Sequence, residues 1–323
     1  MDDKQAAVDT AVRCIRRQFG KGSIVSPGDH GAVEQVTAIP TGSLGLDAAI
    51  GVGGCPRGRI VEVFGPKGGG KTTLALHAAA SAQAAGGIAA FVDVGHSLDV
   101  RYAAALGVSM DQLYLSQPDT GEQALEIAEI LCRSGGVDLI VVDSVNALTP
   151  RAEIEGEGGD DGLRARLLSR ALRKLAALVH RTGTCLVFVT ETGDAVPSRC
   201  GNGLKFYAAV RLDVRKIQEE QDGERVAGSL VRVRVVKNKV ARPFAEAEFT
   251  IRFGTGIDRI AELADQAVAL GVLDRSADLP VFHEMGVGTD RTKLAAMLRE
   301  SEKLRRVVEA EVREQLGLPL VAP

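Results

Sequence analysis

Residues 59–73 read Arg-Ile-Val-Glu-Val-Phe-Gly-Pro-Lys-Gly-Gly-Gly-Lys-Thr-Thr, and this stretch decides the fold. The run Arg59–Phe64 predicts a strand, and a helix is predicted to begin at Lys71. Between them, residues 65–72 fit the pattern G-x-x-x-x-G-K-[S/T], which is specific when a strand precedes it and a helix follows. Backbone N–H groups of such a loop, together with the helix N-terminus, surround phosphate oxygens. The stretch therefore predicts a phosphate-binding loop; a glycine-rich turn without a ligand is the alternative.

Two further features predict the chemistry of this loop. Lys71 is expected to bridge the terminal phosphates of a nucleotide, and the Thr72 hydroxyl is expected to bind magnesium. Asp143 follows the apolar run Leu139–Val142 and is expected to orient the same ion, although a strand-terminal aspartate alone is more often a turn residue. The sequence therefore predicts binding of a nucleoside triphosphate with Mg²⁺. The predicted nucleotide-contacting residues of the loop are Gly65, Pro66, Lys67, Gly68, Gly69, Gly70, Lys71, Thr72 and Thr73.

Strand and helix patterns alternate along the middle of the chain. Apolar runs at 88–93, 138–143 and 184–190 predict strands, and the segments 119–133 and 163–181 have helical spacing. Strands that are almost continuously apolar and alternate with helices are typical of a parallel sheet covered on both faces. We therefore predict an α/β fold with a mostly parallel central sheet.

The two ends of the chain differ from this pattern. Residues 3–19 have apolar positions at helical spacing and predict a separate N-terminal helix. Two long strands, 207–218 and 228–239, are predicted to form a hairpin across Asp222-Gly223. A charged amphipathic helix is predicted at 290–315. We expect an N-terminal helix and linker at 1–32, a nucleotide-binding core at 33–257 and a small α/β C-terminal domain at 258–323.

The composition excludes several classes of protein. The 323 residues are 45% hydrophobic and 25% charged, as in a globular protein, and no apolar run is long enough for a membrane span. The five cysteines lack any C-x-x-C pairing, which argues against a zinc site and a disulfide framework. No export signal is recognised, so a cytoplasmic location without membrane partners is expected. The net charge is −3, yet basic residues recur between Lys205 and Arg242, and such a stripe can bind a phosphate backbone.

A series of motifs, in the same order along the chain, resembles the RecA recombinase family. It includes Phe19-Gly-Lys-Gly-Ser-Ile24, Gln117-Pro-Asp-Thr-Gly-Glu-Gln-Ala-Leu125, Val142-Asp-Ser-Val145 and Val236-Lys-Asn-Lys239. The resemblance implies a RecA-type P-loop NTPase core with ATP and Mg²⁺ as cofactors. It further implies polymerisation into helical filaments on single-stranded DNA, followed by homologous pairing and strand exchange with double-stranded DNA. It places the protein in DNA repair and the SOS response, where such filaments promote self-cleavage of the SOS repressor.

The resemblance also implies roles for individual residues. Asp99 and Tyr102 would contact the adenine. Because ATP lies between neighbouring subunits in the family, Lys237 and Lys239 would reach the γ-phosphate bound by a neighbour. Without the resemblance, these two lysines would be interpreted as a solvent-exposed strand face. The resemblance also implies that the N-terminal helix docks on the adjacent subunit and that Lys205 and Phe206 lie at the filament interface.

Two loops are expected to contact DNA. The first lies at about 154–162 and the second at about 191–203, and the second is shorter than the family's and lacks its aromatic residue. Arginine side chains and backbone amides suit a sequence-independent grip on phosphates. From spacing alone, Arg164 and Arg173 fit the outer face of an amphipathic helix equally well. The candidate DNA-binding residues are Arg164, Arg166, Arg173, Arg199 and Asn202.

Positions that the family uses to hydrolyse ATP differ in this chain. Gly95, in the run Asp93-Val-Gly-His96, stands where the family has the glutamate that positions the attacking water. Loss of a general base costs about 10²–10⁴ in rate. At the end of the fourth predicted strand, Thr190-Glu191 replaces the family's Asn-Gln, and Glu191 either supplies a replacement base or repels the nucleotide. We expect impaired coupling, with ATP bound but hydrolysed slowly. The predicted catalytic residues are Lys71, Glu191, Lys237 and Lys239.

Three hypotheses for the function remain open at this point. The first is a working RecA-type recombinase, an ATP-dependent enzyme that acts on DNA. The second is a divergent paralogue that binds ATP and assembles but turns over little, as a regulatory or DNA-binding protein. The third is a hexameric helicase of the same fold, against which the motif Lys237-x-Lys239 argues. We place the recombinase first because most of the landmark motifs are present.

Overall fold

The chain folds into two compact units, Met1–Val36 and Thr37–Pro323. The first unit contains the predicted N-terminal helix, α1 (Asp2–Phe19). This helix ends where Gly20 takes a left-handed φ of 96° while its N–H still bonds the carbonyl of Arg16 at 3.0 Å, which is a common helix C-terminus. The finer division into 33–257 and 258–323 stays a prediction. The computed structural model describes residues 2–24, 36–156, 161–192, 203–223, 225–272 and 290–320.

In its described part, the second unit is built on a nine-stranded sheet and a two-stranded ribbon. Strands β1 and β2 form the ribbon, and the others form the sheet. The strands are β1 (Ala38–Ile39), β2 (Cys55–Pro56), β3 (Ile60–Gly65), β4 (Ala89–Asp93), β5 (Leu113–Ser116), β6 (Leu139–Asp143), β7 (Cys185–Glu191), β8 (Val210–Asp222), β9 (Arg225–Asn238), β10 (Glu246–Arg252) and β11 (Gly256–Ile257).

Helices connect these strands and cover the sheet. The helices in the described part of the second unit are α2 (Leu44–Ile50), α3 (Lys71–Ala84), α4 (Val100–Ala105), α5 (Gly121–Ser134), α6 (Arg151–Ile154), α7 (Asp161–Thr182), α8 (Gly203–Tyr207), α9 (Arg259–Ala269), α10 (Arg291–Glu300) and α11 (Glu302–Gln315). Helices α5 and α7 each have one apolar face, which packs in the core against the sheet, and one charged face.

The strand order in the sheet is β11-β10-β9-β8-β3-β7-β6-β4-β5. Neighbouring strands from β8 to β5 pair in parallel, whereas β8, β9, β10 and β11 pair antiparallel in succession. The predicted α/β fold with a mostly parallel sheet is therefore confirmed. Because β3, β7, β6 and β4 run in the same direction, their carboxyl ends meet at one edge, called here the carboxyl edge.

The central strands are buried on both faces, which explains their continuous apolar sequences. In β6, Leu139 and Val141 pack in a core that includes α3, while Ile140 and Val142 pack in a second core with α5 and α7. All four side chains are fully buried. Alternation of side chains along the strand thus supplies both layers and holds the sheet in register.

One predicted helix is wrong in its extent. The segment predicted as a single helix at 290–315 forms α10 and α11, separated at Ser301. Ser301 has an extended φ of −120°, and its hydroxyl accepts a hydrogen bond from the N–H of Leu304 at 3.3 Å. Serine favours this N-cap position because its side chain satisfies a free N–H of the first helical turn. The amphipathic pattern continues across the break, so periodicity did not reveal it.

A buried acidic cluster joins α2 to α9. Oε1 of Glu262 accepts hydrogen bonds from the Ser43 hydroxyl at 2.5 Å and the Gly45 N–H at 2.9 Å. Its Oε2 has no partner among the described residues. Asp47 accepts hydrogen bonds from the hydroxyl and N–H of Thr41 at 2.7 and 2.8 Å. Burial raises the pKa of both Glu262 and Asp47 to about 7, against the opposing effect of their hydrogen bonds.

We expect this cluster to make the folded state less stable as the pH rises. The pKa of Glu262 is raised from 4.5 to about 7, so between these values the folded state holds more protons than the unfolded state, and the free energy of unfolding falls toward neutral pH. Glu262→Gln removes this titration, so the decrease in the free energy of unfolding across this pH range should be smaller by on the order of 1–3 kcal/mol. Urea unfolding across this pH range measures the effect. The exposed Glu300→Gln is the matched control, and an unchanged fall in Glu262→Gln would contradict the prediction.

Candidate functional site

Four residues that are distant in sequence meet at the carboxyl edge. Gly65 lies opposite Glu191 in the pairing of β3 with β7, and Asp93 lies opposite Asp143 in the pairing of β4 with β6. The phosphate-binding loop follows β3 at this edge and leads directly into α3. The strand–loop–helix context that the motif requires is therefore confirmed.

The glycines of the loop are required at specific points of the backbone. Gly65 has a φ of 153°, and a Cβ atom there would lie 2.1 Å from the carbonyl oxygen of Val214. Gly70 has a φ of 93°, and a Cβ atom there would lie 2.5 Å from Ile251 Cδ1. At Gly68 the φ is 73°, with no atom within 4 Å of a Cβ position. Close packing against the backbone of β8 therefore demands glycine at position 65, and the left-handed φ favours glycine at position 70.

Lys71 is held inside the loop. Its Nζ donates a hydrogen bond to the carbonyl of Pro66 at 2.7 Å, and the residue is only 8% exposed. Burial lowers the pKa of Lys71, and the nearby carboxylates of Glu191 and Asp143 act in the opposite direction. The loop thus concentrates a partly desolvated positive charge among its backbone N–H groups, which is the environment that terminal phosphates require.

Thr72 and Asp143 are in direct contact. The Thr72 hydroxyl donates a hydrogen bond to Oδ2 of Asp143 at 2.6 Å. Burial raises the pKa of Asp143, and the hydrogen bond from Thr72 counteracts this effect. Among the residues that the structure describes, no group of three His, Cys, Asp or Glu side chains is arranged to hold a metal. The Thr72 hydroxyl and the Asp143 carboxylate are oxygen ligands, which fit Mg²⁺, an ion usually held by few protein ligands together with phosphate and water oxygens.

A pocket of about 260 Å³ adjoins the loop on the side of α4. The Tyr102 hydroxyl lies 3.0 Å from Oγ1 of Thr73 at this pocket. Asp99 caps α4 by accepting hydrogen bonds from the N–H groups of Arg101 and Tyr102 at 2.8 and 3.1 Å, so it also fixes the start of the helix that carries Tyr102. Phe253, which is 60% exposed, lines the same pocket from the end of β10. Sequence reasoning missed Phe253 because no local motif marks it.

Four residues predicted for the subunit interface form one surface, called here the lysine patch (Lys205, Phe206, Lys237 and Lys239). Nζ of Lys237 donates hydrogen bonds to the carbonyls of Lys205 at 2.6 Å and Phe206 at 3.0 Å. Nζ of Lys239 lies 5.8 Å from the centre of the Phe206 ring, which is 71% exposed. Burial lowers the pKa of Lys237, and the charges of Lys239 and Arg211 add to this effect.

The lysine patch lies away from the chain's own phosphate-binding loop. Lys237 pairs with Arg211, and Arg211 pairs with Glu62 near the start of β3. The patch therefore lies level with the start of β3, two strands away in the sheet, whereas the loop follows the end of β3.

Comparison with known proteins identifies the family. Residues 6–258 match the family model of the RecA N-terminal domain. The chain is 50% identical to Protein RecA 1 of Myxococcus xanthus, with 98% of this chain and 96% of the relative covered. It is 51% identical to Protein RecA of Rubrobacter xylanophilus, with 98% of this chain and 94% of the relative covered.

The chain belongs to the RecA family. RecA proteins act in DNA recombination and repair, so the chain is a recombinase of this family. Because the 50% identity to RecA proteins extends over 98% of the chain, the alternative of a divergent regulatory paralogue is not favoured. Separately, no helix in the described part of the chain is long and apolar enough to cross a membrane.

The candidate DNA-binding residues of this RecA chain differ in their surroundings. Arg164 donates from Nε to Oε2 of Glu153 at 2.8 Å and from Nη1 to the carbonyl of Asn146 at 3.3 Å, so it ties α7 to α6. Arg166 and Arg173 are exposed on α7. Arg199 and Asn202 lie outside the described residues, as do 157–160 of the first predicted DNA loop and 193–202 of the second.

The two departures from the RecA pattern lie on either side of β6. Gly95 is exposed in the turn after β4, and a Cβ atom there would approach only Ser97 Oγ, at 3.4 Å. His96 follows with a left-handed φ of 49°. Glu191 is the last residue of β7, beside the phosphate-binding loop. Position 95 therefore has room for a larger side chain but supplies no carboxylate.

We expect Gly65→Ala to impair nucleotide binding far more than Gly68→Ala does. Alanine at 65 would place Cβ 2.1 Å from the Val214 carbonyl oxygen, so the loop or β8 must move. Alanine at 68 has open space and bears only the strain of a left-handed φ, about 1–2 kcal/mol. Titration with a fluorescent ATP analogue should show at least about a tenfold weaker affinity for Gly65→Ala than for Gly68→Ala. Equal affinities would show that this packing does not shape the site.

Proposed function

We propose that the chain is an ATP- and Mg²⁺-dependent recombinase that polymerises on single-stranded DNA in the cytoplasm and pairs it with a homologous duplex. The observation that supports this most directly is the 2.6 Å contact between Thr72 and Asp143. This contact brings together a hydroxyl and a carboxylate suited to a nucleotide with bound Mg²⁺, and it lies next to Lys71. Thr72 and Asp143 are 71 positions apart in sequence. Family membership supports the DNA-directed part of the proposal.

In this proposal the phosphate-binding loop holds ATP through its backbone N–H groups and Lys71. The Thr72 hydroxyl and the Asp143 carboxylate would hold Mg²⁺. The ion would neutralise part of the negative charge of the phosphates. Tyr102 and Asp99 contact the adenine from the side of α4, with Thr73 at the boundary between the base and the phosphates.

The lysine patch is proposed to act on the nucleotide of a neighbouring subunit. Its position supports this role: the patch lies level with the start of β3, whereas the loop follows the end of this strand. The patch is therefore separate from the chain's own nucleotide site. Lys237 and Lys239 supply positive charge to the γ-phosphate, and Lys205 and the exposed Phe206 contact the neighbour. A helical filament results when each subunit repeats this heterologous contact without closing into a ring.

DNA is proposed to bind beside the carboxyl edge. The exposed arginines of α7, Arg166 and Arg173, suit non-specific phosphate contacts. Arg164 contributes by holding the start of α7 against Glu153. Arg199 and Asn202 complete the proposed DNA-binding set, and the assembled filament is proposed to promote self-cleavage of the SOS repressor.

We expect the natural chain to bind ATP and to hydrolyse it slowly, with stimulation by single-stranded DNA. Gly95→Glu should raise kcat at least about tenfold, because it supplies a carboxylate at a position with room for the side chain. Steady-state hydrolysis with and without DNA measures the effect. Gly95→Gln is the matched control, since glutamine has the same length but is not a base. Equal rates for the two variants would show that the missing carboxylate does not limit turnover.

We also expect Lys239→Ala to separate nucleotide binding from assembly-dependent hydrolysis. DNA-stimulated hydrolysis should fall at least about tenfold, because the neighbour's γ-phosphate loses a charge partner. Binding of ATP to isolated subunits should not change, since Lys239 lies away from the chain's own loop. The exposed Lys303→Ala serves as the control for loss of a surface charge. Weaker ATP binding by isolated Lys239→Ala subunits would contradict the intersubunit role.

A further inference from the structure

Three carboxylates surround the phosphate-binding loop at the carboxyl edge. Asp93 ends β4, Asp143 ends β6 and Glu191 ends β7. A general base for hydrolysis must have an oxygen that is free to accept a proton from water and lies near the γ-phosphate. The hydrogen bonds of the three groups therefore decide which of them can take this role.

Both carboxylate oxygens of Asp93 already accept hydrogen bonds from neighbouring residues. Its Oδ1 accepts a hydrogen bond from the N–H of Ser97 at 3.0 Å. Its Oδ2 accepts from the N–H of Leu98 at 3.1 Å and from Nε2 of Gln117 at 3.0 Å. The residue is 1% exposed. Taking a proton would disrupt this network, and water has little access to it.

Asp143 is proposed to hold Mg²⁺ together with Thr72. Its Oδ2 accepts the hydrogen bond from Thr72 at 2.6 Å, and the residue is 8% exposed. A carboxylate that orients Mg²⁺ must stay ionised during the reaction, so it does not serve as the proton acceptor.

Glu191 is different from both. Its side chain is exposed and makes no hydrogen bond or ion pair to any other residue in the described ranges. Its charge is nevertheless close enough to act on two neighbours: it opposes the lowering of the pKa of Lys71 by burial, and it adds to the raising of the pKa of Asp143 by burial. A carboxylate without a hydrogen-bond partner among the described residues therefore lies near Lys71, the lysine proposed to bind the terminal phosphates.

The backbone of Glu191 is held in place although its side chain is unengaged. Oδ1 of Asn146 accepts a hydrogen bond from the N–H of Glu191 at 2.7 Å, and Nδ2 of Asn146 donates to the Glu191 carbonyl at 2.9 Å. The next residue, Thr192, donates its N–H to the Gly65 carbonyl at 3.0 Å. The start of the side chain is thus fixed relative to the loop, which limits the directions in which the carboxylate can point.

We propose that Glu191 is the general base for ATP hydrolysis in this chain, in place of a carboxylate at position 95; the inference rests on the proposed function. In this step Glu191 accepts a proton from water, and the water oxygen forms a bond to the γ-phosphorus. The bond from the γ-phosphorus to the bridging oxygen breaks, and its electron pair leaves with ADP. Inorganic phosphate and ADP are the products, and the proton on Glu191 passes to solvent.

Glu191→Gln tests the proposal because it keeps the length of the side chain and removes the base. DNA-stimulated kcat should fall at least about 100-fold, while the affinity for ATP stays the same or increases. His96→Gln tests the neighbouring histidine as an alternative base and should leave kcat unchanged. The exposed Glu300→Gln controls for loss of a remote carboxylate. Loss of turnover in His96→Gln rather than in Glu191→Gln would overturn the assignment.

A double-mutant cycle with Gly95→Glu distinguishes chemistry from folding. In the Gly95→Glu background, Glu191→Gln should cost about tenfold or less, because a second carboxylate is available. A defect in folding or DNA binding would remain in both backgrounds. A Glu191→Gln enzyme as fast as the natural chain, or faster, would show that Glu191 only repels the nucleotide.

Binding measurements separate the inference from the proposed function. ATP affinity and single-stranded DNA affinity are determined for the natural chain in the same preparations. If both are intact and Glu191→Gln changes nothing, the inference fails and the proposed function stands. If the natural chain binds neither ATP nor DNA, the proposed function fails and the inference fails with it.

Discussion

The parallel pairing of β3, β7, β6 and β4 is the constraint on which the site depends. Parallel register brings Gly65 beside Glu191 and Asp93 beside Asp143, so the loop and the strand-terminal carboxylates meet at one edge. The register is held by side chains that are buried alternately on the two faces of each strand. A slip of one residue would move every apolar side chain to the wrong face, which makes such a slip costly.

Strand β3 also connects the two surfaces that are proposed to act on nucleotide. The loop follows its last residue, while near its start Glu62 forms a buried ion pair with Arg211, whose guanidinium lies 4.5 Å from the Phe64 ring centre. Arg211 is the register partner of Lys237 in the lysine patch. One short, fully packed strand therefore links a chain's own phosphate site to the surface proposed to reach its neighbour. Such rigidity suits a contact that must sense bound nucleotide, because packed elements transmit small displacements.

Sequence patterns predicted most elements and the phosphate-binding loop, but they missed one local helix break and several contacts between distant parts of the chain. The loop was predictable because glycine spacing and Lys71 mark it. The separation of α10 from α11 was missed because the amphipathic pattern runs through Ser301. Phe253 lines the pocket beside the loop only because β10 packs next to β9, and no local signal reports that pairing. Sequence patterns also did not predict the ion pair between Arg164 and Glu153, because residue spacing does not distinguish a paired arginine from an unpaired one.

The proposed exchange of a carboxylate from position 95 to position 191 has a geometric consequence. Position 95 follows β4 and position 191 ends β7, and these strands flank β6 in the sheet, so the two positions lie two strand spacings apart, or about 10 Å. A base at position 191 would approach the attacking water from the other side of Asp143. Because the water must lie in line with the bond that breaks, this direction limits how well the carboxylate is oriented toward it. Slow turnover is then compatible with an intact phosphate site. Because Glu191 is the first residue of the second predicted DNA loop, a base at this position would couple hydrolysis to DNA contact through one strand end.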